Sequence, residues 1–308
     1  MAGGPRDSIA GVVMAWTARE RRSFGTAMLY LAPSLVLFTA FVFIPLGRTI
    51  YLSLFFTTPT GRLSVFAGLD QYTELFTSTV FRSGLLATTL FVLYAVPVGI
   101  AISLILGVLA NQRIRGINIF RTLLSSTIAV SAAVGSLIWL LLFNPSLGLL
   151  NFVLSRLGLP GPNWLNETGL AIVSLSIATI WLMLGFNLIV LLAGLQSVPE
   201  ELYEAARMDG AGGVLLFRRV TVPLMGPFLF FLLVVDTIQL LQAFTQVHVL
   251  TRGGPVDSTR TLVYSIYLDA FQNFQFGFAS AQAFVLFLIV LVLTVIQFTV
   301  IERRIHYQ

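Results

Sequence analysis

Residues 279–301 read ASAQAFVLFLIVLVLTVIQFTVI, and from Phe284 to Val295 nearly every position is apolar. A strand of a membrane barrel would alternate apolar with polar residues, and a surface helix would keep a polar face. An unbroken run of this length suits a helix crossing roughly 30 Å of hydrocarbon, which takes about 20 residues. The pattern recurs along the chain, in stretches approximately from Met28 to Leu54, Gly84 to Ala110, Thr122 to Phe143, Leu170 to Leu195, Leu224 to Val249 and Ala279 to Ile301. Lipid offers no partners for open backbone groups, so helices are required. The expected fold is all-α: an integral membrane protein with six transmembrane helices over residues 28–308.

Composition points the same way. The 308 residues are 57% hydrophobic and 10% charged, against roughly 25% charged in an ordinary soluble domain. The chain has no Cys, which excludes disulfides, thiolate metal sites and cysteine nucleophiles. Its two histidines, His248 and His306, are too few for an ordinary zinc site, so no metal is expected. All 18 basic residues are Arg, and a phosphate-binding P-loop needs a Lys. Any ATP hydrolysis must therefore occur in another chain. No HExxH and no Gly-x-Ser-x-Gly elbow is present, so no catalytic residue is expected. The net charge of +5 does not suggest nucleic acid, because the arginines are dispersed between apolar runs and form no basic face.

Those arginines orient the chain. Twelve, from Arg6 in the N-terminal tail to Arg303 and Arg304 at the end, fall on the side of the termini; Arg62, Arg82, Arg156, Arg252 and Arg260 fall on the other. Positive charge is retained on the cytoplasmic side, which predicts a multi-pass protein of the plasma or inner membrane with both termini cytoplasmic. Residues 1–27 form a cytoplasmic tail. The apolar stretch after Arg22 is longer than the 7–15 residues of a signal peptide and should remain as the first span. Ile9, Val12, Val13 and Trp16 share one helical face after a cap at Asp7 or Ser8, as in a short interfacial helix; a mobile tail is equally consistent.

Between the fourth and fifth spans, residues 196–227 read QSVPEELYEAARMDGAGGVLLFRRVTVPLMGP. Ser197 followed by Glu200 has the form of a capping box, and Glu200, Glu201 and Glu204 suit the positive end of a helix. Ala205 and Ala206 keep one face slim, Gly210, Gly212 and Gly213 break the helix, and a second half restarts at Val214. Pro223 and Pro227 mark the bend into the fifth span. The expectation is a helix pair lying along the membrane surface.

This loop resembles the EAA loop of the permease subunits of ATP-binding-cassette importers for sugars and related solutes. The match comprises Glu204, Ala205, Ala206, Asp209, Gly210 and Ala211, followed by Phe217, Pro223 and Pro227. Three further stretches resemble the same family: Phe66 to Phe76, with Gln71 where Asn is common; Thr251 to Phe271, including Gly253, Gly254 and Pro255; and Gly277, Ala279 and Ala281. The resemblance implies that residues 196–223 hold a coupling helix, with Glu204, Ala205, Ala206, Asp209 and Gly210 docking on an ATPase. It implies a second homologous permease, two ATPase subunits that carry ATP and Mg2+, and an extracytoplasmic solute-binding protein; no cofactor is implied in this chain. FNPSLGL at 143–149 and VIQFTVIERRIHYQ at 295–308 look most like permeases for glycerol 3-phosphate or a glycerophosphodiester such as glycerophosphocholine. A sugar such as trehalose or a maltose-like oligosaccharide is the alternative, and a secondary transporter or channel is a remote one.

A solute path would be built from polar residues within the spans, where they are costly unless used. Asp236, Gln239, Gln242 and Gln246 follow at steps of three, three and four and would share one helical face in a continuous fifth span. That stripe suits a pathway lining and equally suits hydrogen bonding to the partner permease. Asn187 in the fourth span either meets solute or joins helices, and Arg48 near the end of the first either attracts an anion or extends to the interface.

Overall fold

The computed structural model describes residues 18–302, so the expected tail helix around Ile9 to Trp16, Arg303 and Arg304 lie outside the described residues. The chain divides after Tyr51 into two compact units. In the first, α1 (Ala18–Phe38) and α2 (Ile44–Leu52) join through a π turn at Thr39–Phe43. Pro45 lacks the N–H that an α-helical ladder would use there, and a π turn passes over the gap. The apolar run Thr26–Leu52 that results is long enough to cross a membrane, and Tyr30 and Phe41 stand exposed on it.

The second unit opens with a hairpin, β1 (Phe55–Thr57) antiparallel to β2 (Leu63–Phe66), and the short helix α3 (Asp70–Thr77). The long α4 (Thr79–Ala110) starts at Ser78, whose Oγ accepts from the Phe81 amide at 3.4 Å. At 1.5 Å per residue its 32 residues extend about 48 Å. It packs along α8 (Leu170–Ser197) through small residues: Gly99 meets Ile180, and Gly107 meets Leu188, Leu191 and Leu195. In a membrane protein, close helix approach through glycine substitutes for the hydrophobic drive that lipid removes. Phe91, Val96, Phe143, Leu175, Leu240 and Val247 form the main core.

Two expected spans are broken. In place of one helix from Thr122 to Phe143, α5 (Ile117–Ser125) runs on through a 3-10 turn to Ala129, and α6 (Ala132–Leu142) departs at 107°. Val130 is extended, and Ser131 caps the new helix by accepting from Val134 N at 3.3 Å. The fifth stretch is also discontinuous. After α7 (Leu149–Arg156), α8, α9 (Glu200–Met208), α10 (Gly213–Leu216) and α11 (Val222–Leu224), the chain bends by 67° into α12 (Gly226–Leu241), where Pro223 and Pro227 lead one to expect a bend. However, α12 ends at Gln242, and a separate α13 (Thr245–Leu250) follows. The last elements are α14 (Leu262–Tyr267) and α15 (Phe276–Ile296), the latter extended to Ile301 by a π turn. Among the described residues four helical runs are long and apolar enough to cross a membrane, and six if each bent pair counts as one.

The stretches around Gln71 and Gly277 interlock. Gln71 is buried and donates from Nε2 to the carbonyls of Ser53 and Phe55 at 2.8 and 2.9 Å, while the Gly277 amide donates to Thr57 Oγ1 at 3.1 Å. A Cβ on Gly277 would collide with the Phe55 carbonyl and the Gln71 amide.

Candidate functional site

The segment after α8 is an elbow. Instead of forming the expected capping box, Ser197 belongs to the last turn of α8 and donates to the Gly194 carbonyl at 2.8 Å; the N-cap of α9 is Pro199. The longer helix simply claims the serine. At the far end, Gly210 adopts φ +82°, with its N–H on Arg207 O and the Ala211 N–H on Ala206 O, both at 3.0 Å. These paired bonds are a Schellman closure, and its left-handed position costs an L side chain about 1–2 kcal/mol. Among the described residues nothing lies within 4 Å of where a Cβ on Gly210 would sit, so the requirement is conformational and not steric.

The elbow projects outward. Glu204, Ala205, Asp209 and Gly210 are exposed and Ala206 is half-buried. Two flanking apolar residues that the motif did not single out are exposed as well: Met208 at 88% and Val214 at 84%. Exposed apolar side chains set among acidic ones suit a protein contact. The elbow is tied down lightly, by an Arg113–Glu200 ion pair at 2.8 Å and by Tyr203 Oη beside Thr221 Oγ1 at 3.3 Å. Its second half is anchored by Phe217, which packs against Leu104, Leu191, Leu195, Met225 and Leu232.

The polar residues of the spans separate into an inner pair and an outer one. Asp236 and Asn187 are both buried, and Asn187 Nδ2 donates to Asp236 Oδ2 at 2.8 Å, joining α8 to α12. Forty-nine residues separate them in sequence. Their remaining oxygens, Asp236 Oδ1 and Asn187 Oδ1, are buried without a protein partner among the described residues. Gln239 and Gln242, by contrast, are exposed, although Leu240 and Leu241 between them are buried. Gln242 caps the end of α12, and Gln246, half-buried, lies on α13. The expected four-residue face is therefore interrupted, because the helix that would carry it stops at Leu241. Arg48 is exposed on α2 of the first unit.

Farther along, His248 stacks on Phe244 at 5.2 Å and lies edge-on to Tyr267 at 5.6 Å. In the turn after α13, Thr259 Oγ1 bonds the Gly254 carbonyl at 2.7 Å and Thr251 Oγ1 at 2.6 Å.

Comparison with known proteins bears on both regions. The profile of the family described as "binding-protein-dependent transport system inner membrane component" matches residues 99–307, which include the elbow. The sn-glycerol-3-phosphate transport system permease protein UgpA of Yersinia pestis bv. Antiqua is 36% identical over 281 residues, covering 91% of this chain and 95% of its own. UgpA of Agrobacterium fabrum is 35% identical with the same coverage. Among solved structures, a chain of a bacterial alginate ABC transporter, in complex with an alginate pentasaccharide-bound periplasmic protein, superposes with a TM-score of 0.77. It shares 22% identity over 92% of this chain and 95% of that one, a likeness of fold.

Proposed function

This chain belongs to the family of binding-protein-dependent transport system inner membrane components, and from that membership we propose that it is the non-catalytic permease subunit of an ATP-driven importer. The observation that carries the reading is the elbow: two short helices, closed by a left-handed glycine, that expose Met208 and Val214 beside Glu204 and Asp209. Such a knob suits the cleft of an ATPase subunit. ATP and Mg2+ act there, and α9 carries the resulting motion through the Phe217 anchor to α4, α8 and α12.

In this account the chain crosses the membrane six times, each bent pair making one passage, with both termini and the elbow cytoplasmic. The distribution of arginines, twelve against five, supports that orientation. A second homologous permease completes the path, and a solute-binding protein delivers cargo on the opposite side. Gln239 and Gln242 line the path, because an exposed amide in an apolar helix needs water, solute or a partner subunit. Gln246 continues the lining past the break, and Arg48 attracts anionic cargo from the first span. Asp236 and Asn187 fix the spacing of α12 and α8, and their free oxygens receive a donor during transport.

The solute we propose is glycerol 3-phosphate or a glycerophosphodiester such as glycerophosphocholine, supported by about one-third identity to UgpA proteins along most of the chain. A second reading is a sugar such as trehalose or a maltose-like oligosaccharide. It is favoured by the glutamines, which offer neutral amides suited to hydroxyl groups, and by α8 and α12, which contain no arginine to meet a phosphate. Measuring ATPase stimulation of the purified complex by glycerol 3-phosphate, glycerophosphocholine and a disaccharide, each with the binding protein, separates the two. Stimulation by either phosphate ester supports the first reading; stimulation by the disaccharide alone overturns it.

A further inference from the structure

Beside the elbow lies a cavity of about 880 Å3 whose walls come from the end of α4, the turn after it, α5, the end of α8 and α9. Arg113, Arg121 and Arg207 line it against a single carboxylate, Glu200, which leaves a net charge of +2 on the walls. The three guanidiniums are held differently. Arg121 Nε donates to the Ala110 carbonyl at 2.7 Å, which fixes that side chain at the end of α4. Arg113 is paired with Glu200, and Arg207 has no ion pair among the described residues. Asn111, Gln112, Gln196, Tyr203 and Thr221 add neutral hydrogen-bonding groups.

Lined in this way, the cavity suits an anion rich in oxygen. Of its wall residues Ile114 is apolar and 59% exposed, and α5, which brings Arg121 to the cavity, also exposes Ile119 and Leu123 at 68% and 66%. Basic pockets between the ends of transmembrane helices, bordered by exposed aliphatic side chains, match a phosphate headgroup with its acyl chains alongside. We propose that this cavity binds the phosphate of an anionic phospholipid, with Arg121 and Arg207 holding the headgroup and Ile114 lying along the acyl chains. A bound headgroup would connect α4, α5 and α9, and so brace the base of the elbow from the membrane side. The inference rests on membership of a membrane-embedded family and is independent of which solute is carried.

Native mass spectrometry of the full chain, purified with the subunits it assembles with and offered equal amounts of phosphatidylglycerol and phosphatidylcholine, tests the proposal. Phosphatidylglycerol should be retained in preference, and Arg207→Gln should weaken that preference about fivefold, the effect of one basic residue at a lipid surface. Arg207→Lys should keep most of it, and Arg156→Gln, away from the cavity, should leave it intact. Equal retention of both lipids, or a preference unchanged in Arg207→Gln, overturns the proposal. A second arm adds inorganic phosphate to the complex in phosphatidylcholine nanodiscs and follows thermal unfolding. If phosphate stabilises the wild type but not Arg207→Gln, while phosphatidylglycerol has no effect on either, the cavity serves a soluble anion and the lipid proposal fails.

Discussion

The α4–α8 pair and the α9–α10 elbow follow opposite rules. Along α8, glycines are placed where a neighbour leaves no room, as at Gly185 against Ser125 to Ile128 and Gly194 against Met225 and Phe228. In the elbow, Gly210, Gly212 and Gly213 have nothing among the described residues within 4 Å of a Cβ, and apolar Met208 and Val214 are exposed. The first region is explained by the chain's own packing. The second keeps a demanding shape with little internal packing, as the proposed docking on an ATPase would require.

Substitutions can sharpen that contrast or break it. The largest effect is expected from Gly185→Leu, since even a Cβ there meets Ile128 N and Thr127 Oγ1 within 2.6 Å. A loss of about 3 kcal/mol from overpacking should appear as an aggregated species in detergent chromatography. A monodisperse variant of normal thermal stability would show that α8 tolerates displacement and that the packing argument is wrong.

Next comes the buried pair. Asn187→Leu strands the Asp236 carboxyl and should cost about 1–3 kcal/mol in a denaturation experiment, whereas Asn187→Leu combined with Asp236→Leu should recover most of the loss. If the double variant is no better than the single one, Asp236 has a partner other than Asn187. Gly210→Ala should cost only about 1 kcal/mol, from its left-handed backbone, and leave the folded fraction unchanged, yet depress ATP-driven uptake. Gly212, with φ −75°, accepts any residue, so Gly212→Ala should transport normally. Equal uptake by these two variants would remove the special status of the elbow's closure. Least of all, Arg113→Gln, which breaks an exposed ion pair, should leave the unfolding midpoint unchanged.

Much of this architecture was legible in the amino-acid pattern. Windows of about 20 apolar residues locate α4, α8, α15 and the first-unit helix with no tertiary information, because lipid imposes the length. The break before α6 had a local signal in Ser131, a good N-cap, hidden within an otherwise apolar run. The break between α12 and α13 had none. Gln242, Ala243 and Phe244 include neither Gly nor Pro, and Ala243 is buried in the core beside Val247. The helix ends at Leu241, and the four-residue stripe from Asp236 to Gln246 is broken with it. The Asn187–Asp236 bond joins positions too distant in sequence to be paired by spacing. At the elbow the order of Glu, Ala, Ala, Asp and Gly was readable, while Met208 and Val214 became conspicuous only through their exposure.

Docking of the elbow is the claim on which the mechanism depends. The chain has no cysteine, so Met208→Cys creates one thiol at an apolar position of the elbow that is 88% exposed. Labelling with a water-soluble maleimide should be rapid in the chain freed of its ATPase and strongly slowed in the assembled complex, while Val256→Cys, 92% exposed beyond α13, should label equally in both. Undiminished labelling at Met208→Cys in a complex that hydrolyses ATP and imports solute would contradict the account.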